Sequence, residues 1–316
     1  MVLLTGATGF IGSHLLSALG EKTSVLSRKP VPFHKGRNFS YDLCQPYFDE
    51  KIFEGIKVVI HCAARVHVMK DVAADPLSEF RNVNTLATLN LAKAAANSGV
   101  KRFIFISSIK VNGESTKVGL PFSETDPHSP KDFYAVSKSE AEVQLMELGI
   151  KSGMEIVIIR PGLVYGPGVK GNFCSLMNLV YKGVPLPFGS IVNNRRSLVS
   201  IANLIDLIVT CIDHPKAANQ VFLVSDDNDV STSSMVKEMA IALGKSTWQL
   251  PLSVSCYKLA GKLFNKNDVV ERLIGSLQVD ISHTKKTLDW APPQTLHEGF
   301  RKAAKVLLKS KQNGGK

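Results

Sequence analysis

The segment Thr5-Gly-Ala-Thr-Gly-Phe-Ile-Gly12 constrains this chain more than any other. It stands between a short apolar run, Val2-Leu-Leu-Thr5, and a stretch with Ile11, Leu15, Leu16 and Leu19 at helical spacing. A strand turning through three glycines into a helix opens a βαβ unit. Gly6 permits the tight turn, Gly9 lets backbone approach an anion, and Gly12 lets the helix pack on the strand. The free amides of the helix N-terminus face the same point, so the turn reads as a seat for a pyrophosphate.

The rest of the chain continues the pattern. Apolar runs at 23–27, 57–63, 101–107 and 155–160 predict strands, and 132–152 predicts a helix. A longer helix is predicted over 76–98, with Phe80, Val83, Leu86, Leu89 and Ala92–Ala96 on its apolar side. A strand and helix at 197–214 and a strand at 220–224 follow. Strands that are apolar almost throughout are covered on both faces, which requires a parallel sheet. The expected fold is α/β: a Rossmann-type doubly wound parallel sheet with a smaller mixed α/β C-terminal substrate domain. Residues 161–190 turn rich in glycine and proline, so the boundary is set at residue 162. Residues 196–223 are expected to return to the first domain, with 163–195 and 224–316 forming the second.

Composition narrows the class. Hydrophobic residues make up 44% and charged residues 21% of 316, which is the balance of an ordinary globular chain. No apolar run approaches the ~18 residues of a membrane span. The glycines at 6, 9 and 12 break the opening apolar stretch, and no basic segment precedes it, so no secretory leader is expected. The net charge of +11 is carried by two acid-free stretches, 22–38 and 301–316. With no basic groove spread over the chain, a nucleic-acid partner is not expected. Five cysteines without a Cys-x-x-Cys pair suit a reduced, cytoplasmic protein.

An acid closing the second strand would bind the 2′-hydroxyl of NAD. Here that strand ends in Ser27-Arg28-Lys29, and the next carboxylate is Asp42. A hydroxyl and two cations suit a 2′-phosphate, so NADP is favoured over NAD. Asp42-Leu43 falls where such folds meet the adenine, although an Asp after a strand also caps turns.

Tyr134-Ala-Val-Ser-Lys138 puts a phenol and an ammonium at i and i+4 on one helix face. A phenol titrating near ~10 is a poor acid–base group at pH 7, and lowering it by about three units requires roughly 4 kcal/mol. A cation ~4 Å away supplies a similar amount at an effective dielectric near 20. Tyr47-Phe-Asp-Glu-Lys51 has the same spacing, so spacing alone does not decide. Tyr134, however, follows a strand ending in Ser107-Ser108, and a hydroxyl at a strand's carboxyl end points at the crevice of such a sheet.

Together these segments, with His61-Cys-Ala-Ala64, Asn84-Thr-Leu-Ala-Thr88, Phe105-Ile-Ser-Ser108 and Arg160-Pro-Gly-Leu-Val-Tyr-Gly-Pro167, resemble the extended short-chain dehydrogenase/reductases, the nucleotide-sugar epimerase and dehydratase group. The resemblance implies a catalytic set of Ser108, Tyr134 and Lys138. It implies cofactor contacts from Gly6, Gly9, Phe10, Ile11, Gly12, Ser27, Arg28, Asp42, Leu43, Ala63, Ala64 and Asn84, with Tyr134 and Lys138. It further implies a UDP-sugar substrate held by Ser108, Lys110, Asn172, Arg196 and Arg272, and a homodimer through the helices near 76–98 and 132–152. Arg195 is an alternative to Arg196, and Arg65 and His67 are candidates for the sugar pocket.

Dehydratases carry an acid pair just after the serine, where this chain has Ile109 and Lys110. Epimerases commonly have the strand-two acid, and an Asn where this chain has Leu163. Ala63–Met69, Ser107–Gly113 and Gly275–Asp280 are similar to a bacterial polysaccharide subgroup that reduces UDP-4-keto-6-deoxy-N-acetylglucosamine. The expected activity is therefore 4-ketoreduction of a UDP-hexosamine, with a UDP-glucose or UDP-N-acetylglucosamine 4-epimerase as the alternative. A non-catalytic dinucleotide sensor is the alternative of another class. His61, Cys62 and His67 lack metal-ligand spacing, so no metal is expected.

Overall fold

The computed structural model describes residues 1–66 and 75–313. Its first half runs β1 (Val2–Thr5), α1 (Phe10–Leu19), β2 (Ser24–Ser27), β3 (Asn38–Ser40), β4 (Val58–His61), α2 (Pro76–Arg81), α3 (Ala87–Asn97), β5 (Arg102–Ile106), α4 (Phe133–Ser152) and β6 (Glu155–Pro161). The second half runs β7 (Leu163–Tyr165), α5 (Gly171–Tyr181), β8 (Leu198–Ser200), α6 (Ile201–Asp213), β9 (Gln220–Val224), α7 (Thr232–Ala242), α8 (Val254–Leu263), α9 (Asn267–Ile274), α10 (Ser282–Leu288) and α11 (Leu296–Asn313).

Seven strands form one sheet in the order β3-β2-β1-β4-β5-β6-β9, every pairing parallel. The strand pleat explains why the sequence shows no polar alternation. Leu4, Val58, Ile60, Ile104, Ile106, Val157 and Ile159 point into one core, shared with α1 and α6. Their chain neighbours Leu3, Val59, Phe103, Phe105, Ile156 and Ile158 point into a second core, under α3 and α4. Both faces are dry, as parallel sheets require. A third cluster, around Tyr165, Phe173, Met239 and Phe300, packs α5, α7 and α11 together, and β7 pairs with β8 beside it.

Two elements depart from the expectation. The short edge strand β3 lacks an apolar signature, since Asn38 and Ser40 are two of its three residues. The predicted helix over 76–98 is interrupted by a π-helical turn at Asn82–Leu86. The extra residue in that turn shifts the apolar stripe, so Leu86 is 53% exposed instead of buried. The same turn brings both Asn84 and Thr85 onto Ser137 of α4.

Candidate active site

Strand ends and helix starts build the site. Helix α4 begins where Asp132 accepts a hydrogen bond from the Ala135 amide at 2.7 Å. Tyr134 lies in its first turn, with Lys138 and Glu142 one and two turns further on along the same side. Ser107 and Ser108 close β5. Ser107 is buried and donates to Glu142, whereas Ser108 sits near the Tyr134 hydroxyl and acts to lower its value. The structure therefore separates the two serines, and Ser108 is the one beside the phenol. The Tyr134 ring is held edge-on by Phe80, with centroids 6.5 Å apart.

Burial pushes the Tyr134 hydroxyl above its ordinary value, the Asp132 carboxylate adds to this, and Ser108 opposes it. Tyr134 is thus a phenol at neutral pH and can donate a proton as it stands. Lys138 is buried, and its Nζ donates to the Ile106 carbonyl at 2.8 Å over the Phe105 ring at 4.2 Å. This corrects the expectation that Lys138 lowers Tyr134: here the ammonium is turned to the β5 carbonyl. Burial brings Lys138 itself down to about 8. A folded value below the ordinary lysine range means the ammonium is present below about pH 8 and lost above it. Turnover that depends on this charge is expected to fall as pH rises through 8, and Lys138→Met is expected to remove that limb from the kcat–pH profile.

Beneath these groups lies a polar network that sequence reasoning missed. Arg160, at the end of β6, donates to Glu142 at 3.0 Å and 2.5 Å and to Asn112 Oδ1 at 2.9 Å. Its Nη2 also meets His128 Nε2 at 2.6 Å. Arginine only donates, so His128 Nε2 is an acceptor and its proton sits on Nδ1, 2.8 Å from the Ser139 hydroxyl. Burial lowers the His128 value, Glu142 opposes and Arg160 assists, which agrees with a neutral ring. The one available signal was a charge at the end of the apolar run Ile-Val-Ile-Ile-Arg160.

A cleft of about 410 Å³ opens over the glycine turn, lined by Gly6, Gly9, Ser27, Arg28, Asp42, Leu43, Ala63 and Ala64, among others. A Cβ at Gly12 would stand 2.1 Å from the Gly6 carbonyl oxygen, so only glycine fits there. Gly9 caps α1 without a side-chain bond, leaving the amides of Phe10, Ile11 and Gly12 open to an anion. Three of the expected residues already have partners here. The Ser27 hydroxyl donates to the Lys29 carbonyl at 2.6 Å, and Arg28 lines the cleft beside it. Asp42 caps a turn through the Cys44 amide at 3.0 Å while still lining the cleft. Asn84 is fully buried and outside the wall; it accepts from the Arg65 amide at 2.8 Å and donates to the Arg65 carbonyl and Ser137 hydroxyl at 3.0 Å each. It orients the loop, and Val83 lines the cleft instead.

A second cleft, of about 670 Å³, is lined by Tyr134, Lys110, Asn172, Arg196 and Arg272 together with the acids Glu114, Asp132, Asp268 and Glu271. Apart from Ser108, the expected substrate residues thus share one cavity with the Tyr134 phenol. The acids carry no sequence motif and were not anticipated. The two clefts adjoin at Arg65 and Val66, which line one each. Arg196 lines this cleft and donates to the Arg272 and Gly275 carbonyls at 2.9 and 3.2 Å, whereas Arg195 turns back to the Val192 and Asn194 carbonyls. Burial lowers the Arg196 value. Lys110 is bound to Asp132 at 2.5 Å and Glu114 at 3.1 Å; burial acts to lower its value, and the two carboxylates together outweigh this and raise it. Ile109 is buried in the core, so neither position after Ser108 offers an acid.

The remaining candidates fall elsewhere. Tyr47 is 82% exposed and lines neither cleft. His61 is buried between the Thr5 and Thr88 hydroxyls at 2.8 and 3.0 Å, and burial lowers it to about 3, which makes it a neutral packing group. His67 lies outside the described residues.

A glycine-turn cleft joined to a Ser–Tyr pair over this sheet defines a dinucleotide-dependent enzyme that moves hydride and proton at a carbon–oxygen centre. The model of the NAD dependent epimerase/dehydratase family matches residues 2–225, and the chain belongs to that family. It is 60% identical to a UDP-glucose 4-epimerase of Vibrio cholerae over 314 residues, 98% of this chain and 96% of the relative. Among solved structures, the UDP-glucose 4-epimerase of Thermotoga maritima with UDP-glucose superposes with a TM-score of 0.77 at 21% identity, over 98% of this chain and 99% of that one. RMD from Pseudomonas aeruginosa with NADPH gives 0.74 at 21% identity, over 98% and 99%. The cofactor class is thus a nicotinamide dinucleotide, and the glycine cradle, the open amides of α1 and the cleft above them fit one.

Proposed function

We propose that this chain is a UDP-hexose 4-epimerase, with Ser108, Tyr134 and Lys138 as its working groups. The observation that carries this is Tyr134, with Ser108 near its hydroxyl, at the wall of a cavity that also holds Asn172, Arg196 and Arg272. The high identity with the Vibrio cholerae epimerase over nearly the whole chain supports the substrate and the position attacked. A bound nicotinamide dinucleotide supplies reversible hydride exchange. Tyr134 carries the proton to and from the sugar oxygen, and Ser108 orients that oxygen by hydrogen bonding. Lys138 fixes the end of β5 beneath them through the Ile106 carbonyl. Arg196 and Arg272 suit the diphosphate, whose oxygens match the guanidinium fork. Holding the UDP end positions the sugar for transfer.

The relatives do not support the expected 4-ketoreductase as the first reading. One observation keeps it as the second: β2 ends without a carboxylate, and Arg28 lines the dinucleotide cleft, which favours exchangeable NADPH. The test is incubation with UDP-glucose, read as UDP-galactose formed without added cofactor. In parallel, UDP-4-keto-6-deoxy-N-acetylglucosamine is supplied with NADPH or NADH and followed by absorbance. Epimerisation with retained NAD upholds the first reading; stoichiometric NADPH oxidation with no epimerisation replaces it with the second.

The two-part division at residue 162, with 196–223 returning, is part of this proposal, as β9 beside β6 and the separate cluster under α5, α7 and α11 suggest. So are a cytoplasmic location and a homodimer through α2, α3 and α4, where Leu86, Val143 and Ile150 are exposed.

A further inference from the structure

The hairpin of α8 and α9 hides little of itself. Tyr257 and Gly261 are the buried positions of α8, and α9 has none. Tyr257 stacks on Phe188, and Gly261 lets α9 approach, since a Cβ there would fall 2.9 Å from Val270. On the outside, Leu259 is 61% exposed, Leu263 72%, Phe264 74% and Val269 59%. An amphipathic helix normally turns a single apolar stripe inward, but this hairpin carries a second one facing solvent. Lysines flank it: Lys258, Lys262 and Lys266 stand among the apolar residues, and residues 239–267 contain no acid. Asp268, Glu271 and Arg272 of α9 line the larger cleft.

We propose that the α8–α9 hairpin seats this chain on an anionic lipid surface. Leu259, Leu263, Phe264 and Val269 enter the boundary between headgroups and acyl chains, and Lys258, Lys262 and Lys266 meet the lipid phosphates. Charge selects this occupant. A second copy would bring the same lysines against one another, whereas an anionic bilayer offers negative charge and apolar volume together. Among the described residues no helix is long and apolar enough to cross a membrane, so the hairpin lies on the surface. The inference rests on the surface of α8 and α9 alone and stands apart from the reading of the reaction.

The test is flotation of the full chain with vesicles of phosphatidylglycerol and phosphatidylethanolamine, against vesicles of phosphatidylcholine, at low and high salt. The protein is expected to float with the anionic vesicles at low salt and at least tenfold less with the neutral ones. L263E/F264E, at two exposed positions, is expected to lower the bound fraction at least tenfold with an unchanged melting temperature. The basic groove of α11, lined by Arg301, Lys302, Lys305 and Lys309, is the control. K302A/K305A/K309A is expected to change binding less than twofold. Absence of vesicle binding, binding retained by L263E/F264E, or loss on the α11 substitutions instead would each overturn the proposal. So would a wild-type dimer in sedimentation that L263E/F264E converts to monomer, which would assign the face to a second copy.

Discussion

Tyr134→Phe is expected to lower kcat by about 10²–10⁴ with little change in KM or in the melting temperature, the scale of a positioned proton donor. The substitution removes one hydroxyl and nothing else. The ring keeps its edge contact with Phe80, and the backbone at this position stays under the Asp132 cap. What disappears is the phenol beside Ser108, which its raised value keeps protonated at neutral pH. Ser108→Ala should act in the same direction but less, because it disturbs the orientation of the oxygen and leaves the proton in place. The measurement is steady-state turnover of the UDP-hexose with circular dichroism as the folding control. Turnover of Tyr134→Phe within threefold of the parent would remove Tyr134 from the chemistry.

The second large effect is expected in stability. Glu142→Gln leaves Arg160 buried without its anion, and breaking one side of a buried pair costs about 3–5 kcal/mol. For a chain of this size that corresponds to a fall in Tm of roughly 5–8 °C. Arg160 is 2% exposed and Glu142 2%, so water cannot take over the lost bonds. The change also replaces the charged acceptor of the Ser107 hydroxyl by a neutral amide, one residue from Ser108, so kcat should fall as well. The double substitution Glu142→Gln/Arg160→Met, which removes the orphaned charge, is expected to recover a large part of the lost Tm. Thermal unfolding of the three variants checks this. A Glu142→Gln protein melting within 2 °C of the parent would contradict the accounting.

Local chemistry was legible in the sequence, and long-range chemistry was not. The glycine turn could be read because strand, turn and helix are contiguous and each glycine answers a steric need within seven residues. Tyr134 and Lys138 could be read because helical geometry fixes i and i+4. The choice between Ser107 and Ser108 rested on the resemblance alone, since it depends on which way the end of β5 turns. The structure sends Ser107 down to Glu142 and leaves Ser108 at the phenol. Glu142, Arg160, His128 and Asn112 come from four separate segments, and no spacing rule joins them. The π turn at Asn82–Leu86 was invisible for a related reason. A one-residue bulge leaves the composition of an apolar stretch unchanged, and only the exposure of Leu86 and the placement of Asn84 betray it. The acidic wall of the larger cleft, from Glu114 to Glu271, likewise arises from segments that meet only in three dimensions.

The position of β9 has a consequence for anyone who would cut this molecule. The last strand of the sheet is supplied by residues 220–224, long after the chain has left through β7 and α5. A fragment severed at residue 162 would therefore leave β6 as a raw border, with Ile158 and Ile159 unzipped from Val221 and Phe222. Such borders recruit strands from other molecules, so the nucleotide-gripping half is not a portable module: excised, it would precipitate or swap segments, and a working minimal version has to run at least through residue 224.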